Sequence, residues 1–490
     1  MFDYQSNPGG SPGLIFIRFE NEVGPGLHPR DRTLPFTPVL SGEKAAVSGH
    51  GWRLLEGTVA ELSSARVRDS LDGFDGLLVF ELNAGQSDCV ERFLASYSDA
   101  KCCTAAYGVY ADACPEDVAG SGLVEFCVRG EGESVIPGLA GWVLSGRKGD
   151  PPPGLRWRED GEMRDSGEAV LLGTDDMPFV PAAILRTGRY HKNSFPLSIG
   201  RPLKWGFVLA SRGCLHRCRF CTGMTRQSMD RRFRLCDPGR VVSEMEYQVR
   251  EGRRTIISVE DDLFTGDREW AVEVCELLER RGWRHPWIVQ TRFDRMDEEL
   301  ARRLKAVGCA GITCGVESGS DIVLENLNKN TTAEKIRESG KLLNGYGFAE
   351  RYTVMIGSPG ETREDFDRTS ELISELNPLT AQLTFCTPYP DTGIADNADR
   401  GLDNFRFEAP SRNLSEIPEE ELVGLRIGFY KKHYLSMKYL KAHAREWLGY
   451  SIFNPWRALN MIWLFLTFVR RQSRMSGGAN RAFENAGEVT

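Results

Sequence analysis

The chain has 490 residues, more than a single hydrophobic core usually serves, so two or three domains are expected. Its 41% hydrophobic and 27% charged residues are an ordinary globular composition, and a formal charge of −8 lacks the basic balance of a nucleic-acid binder. The first twenty residues show no basic stretch followed by an apolar core, so secretion is not expected; a cytoplasmic protein with its thirteen cysteines mostly as thiols is.

An α/β chain with a doubly wound first domain is expected over 1–146. LIFIRFE (14–20) and FDGLLVFEL (74–82) are apolar runs suited to buried strands, with a helical pattern around Val59, Leu62 and Val67 between them. CCTAAYGVY (102–110) and LVEFCVRGEGE (123–133) add two further strands, and strands alternating with helices imply a parallel sheet. Residues 147–199, rich in proline, glycine and charge, read as a linker carrying one hairpin.

Residues 200–398 repeat one strand–helix unit. WGFVLAS, RTIISVEDD, WIVQTRFD, GITCGVESG, YTVMIGSPG and AQLTFCTPYP are six strands. Asp237-Pro238 opens the first helix as cap and first-turn proline, a second helix stops at Gly282, and TTAE predicts a capping box at Thr331 and Glu334. The arrangement is a partial β/α barrel of six units, in which chemistry gathers at the C-terminal strand ends. A helical extension over 399–475 and a loose tail over 476–490 follow. The apolar run Met461–Val469, with Arg457 before it and Arg470, Arg471 and Arg474 after it, is about half the ~20 residues that span a bilayer. It reads as a helix packed on the body of the protein, with a peripheral membrane contact as the alternative.

GCLHRCRFC (213–221) is the one cysteine cluster with ligand-like spacing. Cys214, Cys218 and Cys221 with His216 could close a zinc site; Cys218 and Cys221 could be a redox dithiol, which leaves Cys214 without a task; or three thiolates could hold an iron–sulfur cluster with one iron open.

The CxxxCxxC spacing at the end of the first barrel strand resembles the signature of the radical S-adenosylmethionine (SAM) enzymes. That resemblance implies a 4Fe-4S cluster on Cys214, Cys218 and Cys221 whose open iron takes SAM, and reductive cleavage of SAM to a 5′-deoxyadenosyl radical in a water-excluded site. Strand by strand, it implies that Phe220 lies near the adenine, that Glu260, Asp261 and Asp262 meet the SAM amino group, and that Arg292 meets its carboxylate. Glu317 and Ser318 would contact the ribose, and the turn containing Gly357 and Pro359 would leave room for adenine.

In the first domain, segments 34–57, 106–117 and 126–133 resemble the cobalamin-binding domain of B12-dependent radical SAM enzymes. The resemblance places Gly108 and the string Arg129, Gly130, Glu131, Gly132, Glu133 at the corrinoid. No DxHxxG loop is present, since His28 and His50 sit in GLHPR and SGHGW, so cobalt is expected to have no protein histidine beneath it. Tyr107 and Tyr110 stand where relatives commonly have glycine and histidine.

The implied activity is a cobalamin-dependent methyltransferase acting on an unactivated carbon of a small-molecule or lipid-like substrate, with electrons from a flavodoxin or ferredoxin. A radical cyclisation, rearrangement or oxidation is the alternative within the family. A methylthiotransferase would need a second cysteine trio, which the five N-terminal cysteines do not form, and a cobalamin or metal sensor leaves the barrel cysteines idle. Arginine in excess of lysine fits a GC-rich bacterial genome.

Overall fold

The computed structural model describes residues 1–6, 12–19, 34–82, 86–97, 102–192, 195–222, 233–395, 412–456 and 458–459. In the first domain, strands β1 (Phe2–Gln5), β2 (Leu14–Phe19), β3 (Trp52–Gly57), β4 (Leu77–Glu81), β5 (Cys103–Tyr107) and β6 (Phe126–Val128) belong to one sheet, extended by β7 (Leu155–Glu159) and β8 (Glu162–Asp165). Strands β2 to β6 are parallel and ordered β3-β2-β4-β5-β6, a doubly wound arrangement in which the chain reverses direction between β2 and β4. A ligand crevice is expected outside the C-terminal ends of those two strands; the loops that follow them, 20–33 and 83–85, lie outside the described residues.

Two strands of this sheet, β1 and β3, escaped the sequence pattern. β3, WRLLEG, carries Arg53 and Glu56 in a six-residue run and shows no long apolar stretch, yet pairs in register with β2 from Leu14–Trp52 to Phe19–Gly57. The hairpin expected inside the linker is β7–β8, but it pairs antiparallel with β6, so the sheet of the first domain runs to Asp165, not to 146.

The second sheet has six strands, all parallel, ordered β16-β15-β14-β13-β12-β9: β9 (Trp205–Val208), β12 (Ile256–Val259), β13 (Trp287–Thr291), β14 (Cys309–Glu317), β15 (Ala349–Ile356) and β16 (Thr380–Phe385). A short ribbon of β10 (Ser211–Arg212) and β11 (Arg234–Leu235) stands at the end of β9. This is the expected partial barrel, with β9 and β16 as its free edges. The helices begin on side-chain caps: Asp237 accepts from the Arg240 amide, Asp267 from Trp270 and Asp297 from Leu300. The expected box at Thr331 is shifted by one position, because Thr332 is the cap and accepts from Lys335. Reciprocal capping boxes occur instead at Thr58 with Glu61 and Thr362 with Asp365.

Alternation along the barrel strands divides the core. Val208, Ile257, Val259, Trp287 and Val289 pack outward under the helices. Trp205, Phe207, Ile256 and Ile288 share another cluster with Phe195 and Leu197 of the linker and with Leu14, Trp52 and Leu139 of the first domain. One apolar cluster therefore crosses from sheet to barrel, while each part keeps a further cluster of its own.

The C-terminal helices Glu419–Tyr434 and Met437–Phe453 pack on the barrel. The apolar run 461–469 and the tail lie outside the described residues. Among those described, no helix is long and apolar enough to cross a membrane.

Candidate active site

The C-terminal end of β9 delivers the three cysteines. Asp261, buried after β12, accepts from the amides of Ala210 and Ser211 at 2.7 and 2.9 Å, which sets the path of the chain entering the loop. Burial pushes its carboxyl up to about 7. Further along, the Arg219 amide donates to the Leu327 carbonyl at 2.9 Å, the Arg219 guanidinium donates to the carbonyls of Gly393 and Asn326, and Asn328 Nδ2 donates to the Arg217 carbonyl at 2.7 Å. The loop is thus fastened to the segment after β14. Cys218 is buried, Cys214 half-buried and Cys221 exposed, and none of the three is in a disulfide.

Arg292, after β13, is buried with its guanidinium spent on protein groups. It chelates Asp294 at 2.8 and 3.1 Å, donates to the Lys329 carbonyl and places Nη1 3.6 Å from Cys218 Sγ. The resemblance assigned it to the SAM carboxylate; the structure places it beside a cluster-candidate thiol. Burial, then the Arg292 charge, lowers His216 to about 4, so the imidazole is neutral near pH 7.

A second ion pair stands at the end of β14. Glu317 has a left-handed backbone, φ 63°, at a register shift in the strand, and accepts from Lys329 Nζ at 2.8 Å, both side chains being buried. Gly315 makes the space: a Cβ there would lie 2.7 Å from Lys329 Nζ. The Phe220 ring lies 5.8 Å from the same ammonium and packs beside Val323, Leu327 and Met355. Lys329 is a site residue the sequence reading missed; the only local signal was its setting between Asn328 and Asn330, both of which adopt positive φ.

Other expected contacts are also engaged by the protein. Glu260 is held by Lys192 Nζ at 2.8 and 3.1 Å and by Ser258, inside the barrel; Lys192 comes from the linker and was not singled out by the sequence. Asp262 is exposed. Ser318 is fully buried, its hydroxyl bonded to that of Thr369 on the outer helix at 3.1 Å. Gly357, φ 84°, and Ser358 donate their amides to Glu361, and the Pro359 carbonyl accepts from Asn326, so this turn closes on itself.

In the first domain, Gly108, φ 123°, follows β5, where a Cβ would lie 2.7 Å from the Leu82 carbonyl. The Arg129–Glu133 string meets the barrel and its own sheet. Glu133 accepts from Arg212 at 2.8 Å and from Thr37 at 3.1 Å, Glu131 pairs with Arg234, Gly130 donates to Asp112 at 2.6 Å, and Arg129 lies 3.6 Å from Asp165. The two glutamates are therefore domain clasps on the β10–β11 ribbon; Gly132 is packed against Thr37 and Ile136, where a Cβ would come within 2.5 Å.

The strand ends nearest the crevice are polar. Arg18 joins Glu56 at 2.8 Å and Glu81 at 2.7 Å, while Tyr190 and Arg189 of the linker also reach Glu56. Burial and the neighbouring Glu81 hold the Tyr107 hydroxyl well above its usual range. Tyr110 is turned into the apolar core on the other face of the sheet. His50 precedes β3 and so lies at the opposite end of the sheet; His28 is outside the described residues.

Three cysteines in one loop beside a buried arginine suit a cluster chemically. Among the described residues no three His, Cys, Asp or Glu side chains converge on a point fit for one ion.

Residues 208–373 match the radical SAM superfamily. The chain is 27% identical to an uncharacterized methyltransferase of Pyrococcus horikoshii over 69% of its own length and 73% of that protein's. It is 25% identical to an anaerobic magnesium-protoporphyrin IX monomethyl ester cyclase of Rubrivivax gelatinosus, over 47% of this chain and less than half (42%) of the cyclase. In architecture it is similar to TsrM, a radical SAM methyltransferase of Kitasatospora setae solved with cobalamin and a 4Fe-4S cluster bound; the TM-score is 0.59 at 16% identity, over 78% of this chain and 74% of the other.

Proposed function

For a chain that is a radical SAM enzyme in the fold of a cobalamin-containing relative, we propose the activity of a cobalamin-dependent methyltransferase acting on an unactivated carbon of a small molecule. The observation that carries this reading is the joining of the two parts at the site: Arg212, two residues before Cys214, is ion-paired to Glu133 of the doubly wound domain. That contact brings the thiol loop and the first domain together at one seam.

In this reading Cys214, Cys218 and Cys221 hold a 4Fe-4S cluster, and SAM lies among Phe220, the Glu317–Lys329 pair, the Gly357 turn and the residues that end β12. Bound together, these groups and the corrinoid supply one-electron chemistry and a transferable methyl group. The chain supplies the rest. Asp261 fixes the start of the loop, Arg292 holds positive charge against Cys218, and Lys192 neutralises Glu260 inside the barrel so that a buried carboxylate does not stand alone. The apolar cluster shared by sheet and barrel excludes water from the seam. Reducing equivalents come from an external flavodoxin or ferredoxin, which the exposed side of the loop at Cys221 leaves room to approach.

The similarity to a cyclase supports a second reading, a radical cyclisation or oxidation without methyl transfer. Anaerobically reconstituted protein, loaded with cobalamin and given methyl-labelled SAM, separates them. Label in an organic product supports methyl transfer; 5′-deoxyadenosine formed with no labelled product favours the second reading. Protein with a full cluster that never cleaves SAM sinks both.

A further inference from the structure

The helix Met437–Phe453 presents two unlike faces. Its inner face is bonded to the barrel at the end where chains enter β9 and β16: Tyr439 Oη donates to the Leu379 carbonyl at 2.8 Å, His443 Nε2 meets the Asn377 carbonyl at 2.9 Å, and Glu446 accepts from the Ser198 amide at 3.3 Å. Just past the helix, Asn454 accepts from the Leu203 amide at 3.2 Å. The outer face is apolar and covered by nothing in the chain described. Met437 (64% exposed), Leu440 (47%), Leu448 (65%) and Ile452 (63%), with Ala444 between, recur every three or four residues, and Trp456 (83%) and Leu459 (58%) continue the exposure beyond the helix end. Lys441 and Arg445 are exposed on the same side.

We propose that this face is a membrane-surface contact that lies on an anionic lipid leaflet. Charge favours lipid over a protein partner: in a chain of net charge −8 the exposed side of this helix carries Lys441 and Arg445, whereas the one acid of the helix, Glu446, is turned inward to Ser198. An apolar stripe edged by lysine and arginine is the composition of an interfacial helix. The contact lies at the barrel end opposite the cysteine loop, so it tethers the enzyme and leaves the mouth open. It is independent of the proposed chemistry.

Sedimentation of the full-length protein with vesicles of phosphatidylcholine alone, and of phosphatidylcholine with phosphatidylglycerol, tests it. Binding is expected to the anionic vesicles, weakened about tenfold or more by Leu448→Glu/Ile452→Glu and reduced by added salt. Circular dichroism and cluster content of the variant, expected unchanged, separate loss of the surface from misfolding. No binding, or equal binding by the variant, overturns the proposal. So does a monomer–dimer equilibrium abolished by the same substitutions, which assigns the face to a second copy.

Discussion

Arg212 and Glu133 meet at 2.8 Å across the seam between the barrel and the doubly wound domain, both largely buried. Burial works to raise the Glu133 carboxyl, but the guanidinium beside it overrides this and the net shift is downward. Glu133→Ala would strand a buried positive charge and is expected to cost about 3–5 kcal/mol, while Glu133→Leu/Arg212→Met should recover most of that loss. Denaturant unfolding of the variants checks the stability. A fall in cluster retention in the single variant, restored in the double, checks the link to the thiol loop.

Iron binding should divide the cysteines sharply. Alanine at Cys214, Cys218 or Cys221 should each abolish cluster loading and SAM cleavage. Alanine at Cys236 or Cys309, both buried in apolar surroundings that push their thiols up, should leave loading intact. Iron and sulfide assay after anaerobic reconstitution decides.

Arg292 should tune the electron chemistry. Its Nη1 lies 3.6 Å from Cys218 Sγ, and a nearby positive charge favours the reduced cluster. Arg292→Met should therefore move the reduction potential to more negative values, and Arg292→Lys should move it less. A potentiometric titration followed by electron paramagnetic resonance gives the sign.

Stability of the cluster-free protein should fall as pH rises above about 6.5. Burial raises Glu244 and Glu361 to about 7 and Glu350 to about 8, so in the fold these groups keep protons that the unfolded chain has already released. Their stabilising contribution is complete below the unfolded carboxyl pKa and is lost through the folded values. His216, lowered to about 4, and His433, to about 3, act in the opposite sense, but only below the unfolded histidine pKa of about 6.5. Thermal melts between about pH 6.5 and about pH 8 should show a declining midpoint; a rising one contradicts this assignment of protons.

All six barrel strands could be read along the chain because each contains a short apolar run between helical patterns. The cysteine loop was equally plain, since ligands spaced within one turn are set by local sequence. β3 was not, because its burial depends on β1 and β2 on either side, and neither partner is visible in WRLLEG.

What the amino-acid order determined by itself was therefore the local part: six repeating strand–helix units, three thiols at the first strand end, and glycines where the backbone turns left-handed. Only the tertiary structure decided which charges face each other. Arg212 finds Glu133 79 positions away, Lys192 finds Glu260 68 away, and Tyr439 and His443 turn one face of Met437–Phe453 onto the barrel. Ion pairs buried at such separations depend on where whole elements pack, and no periodicity or spacing in a linear sequence encodes that distance.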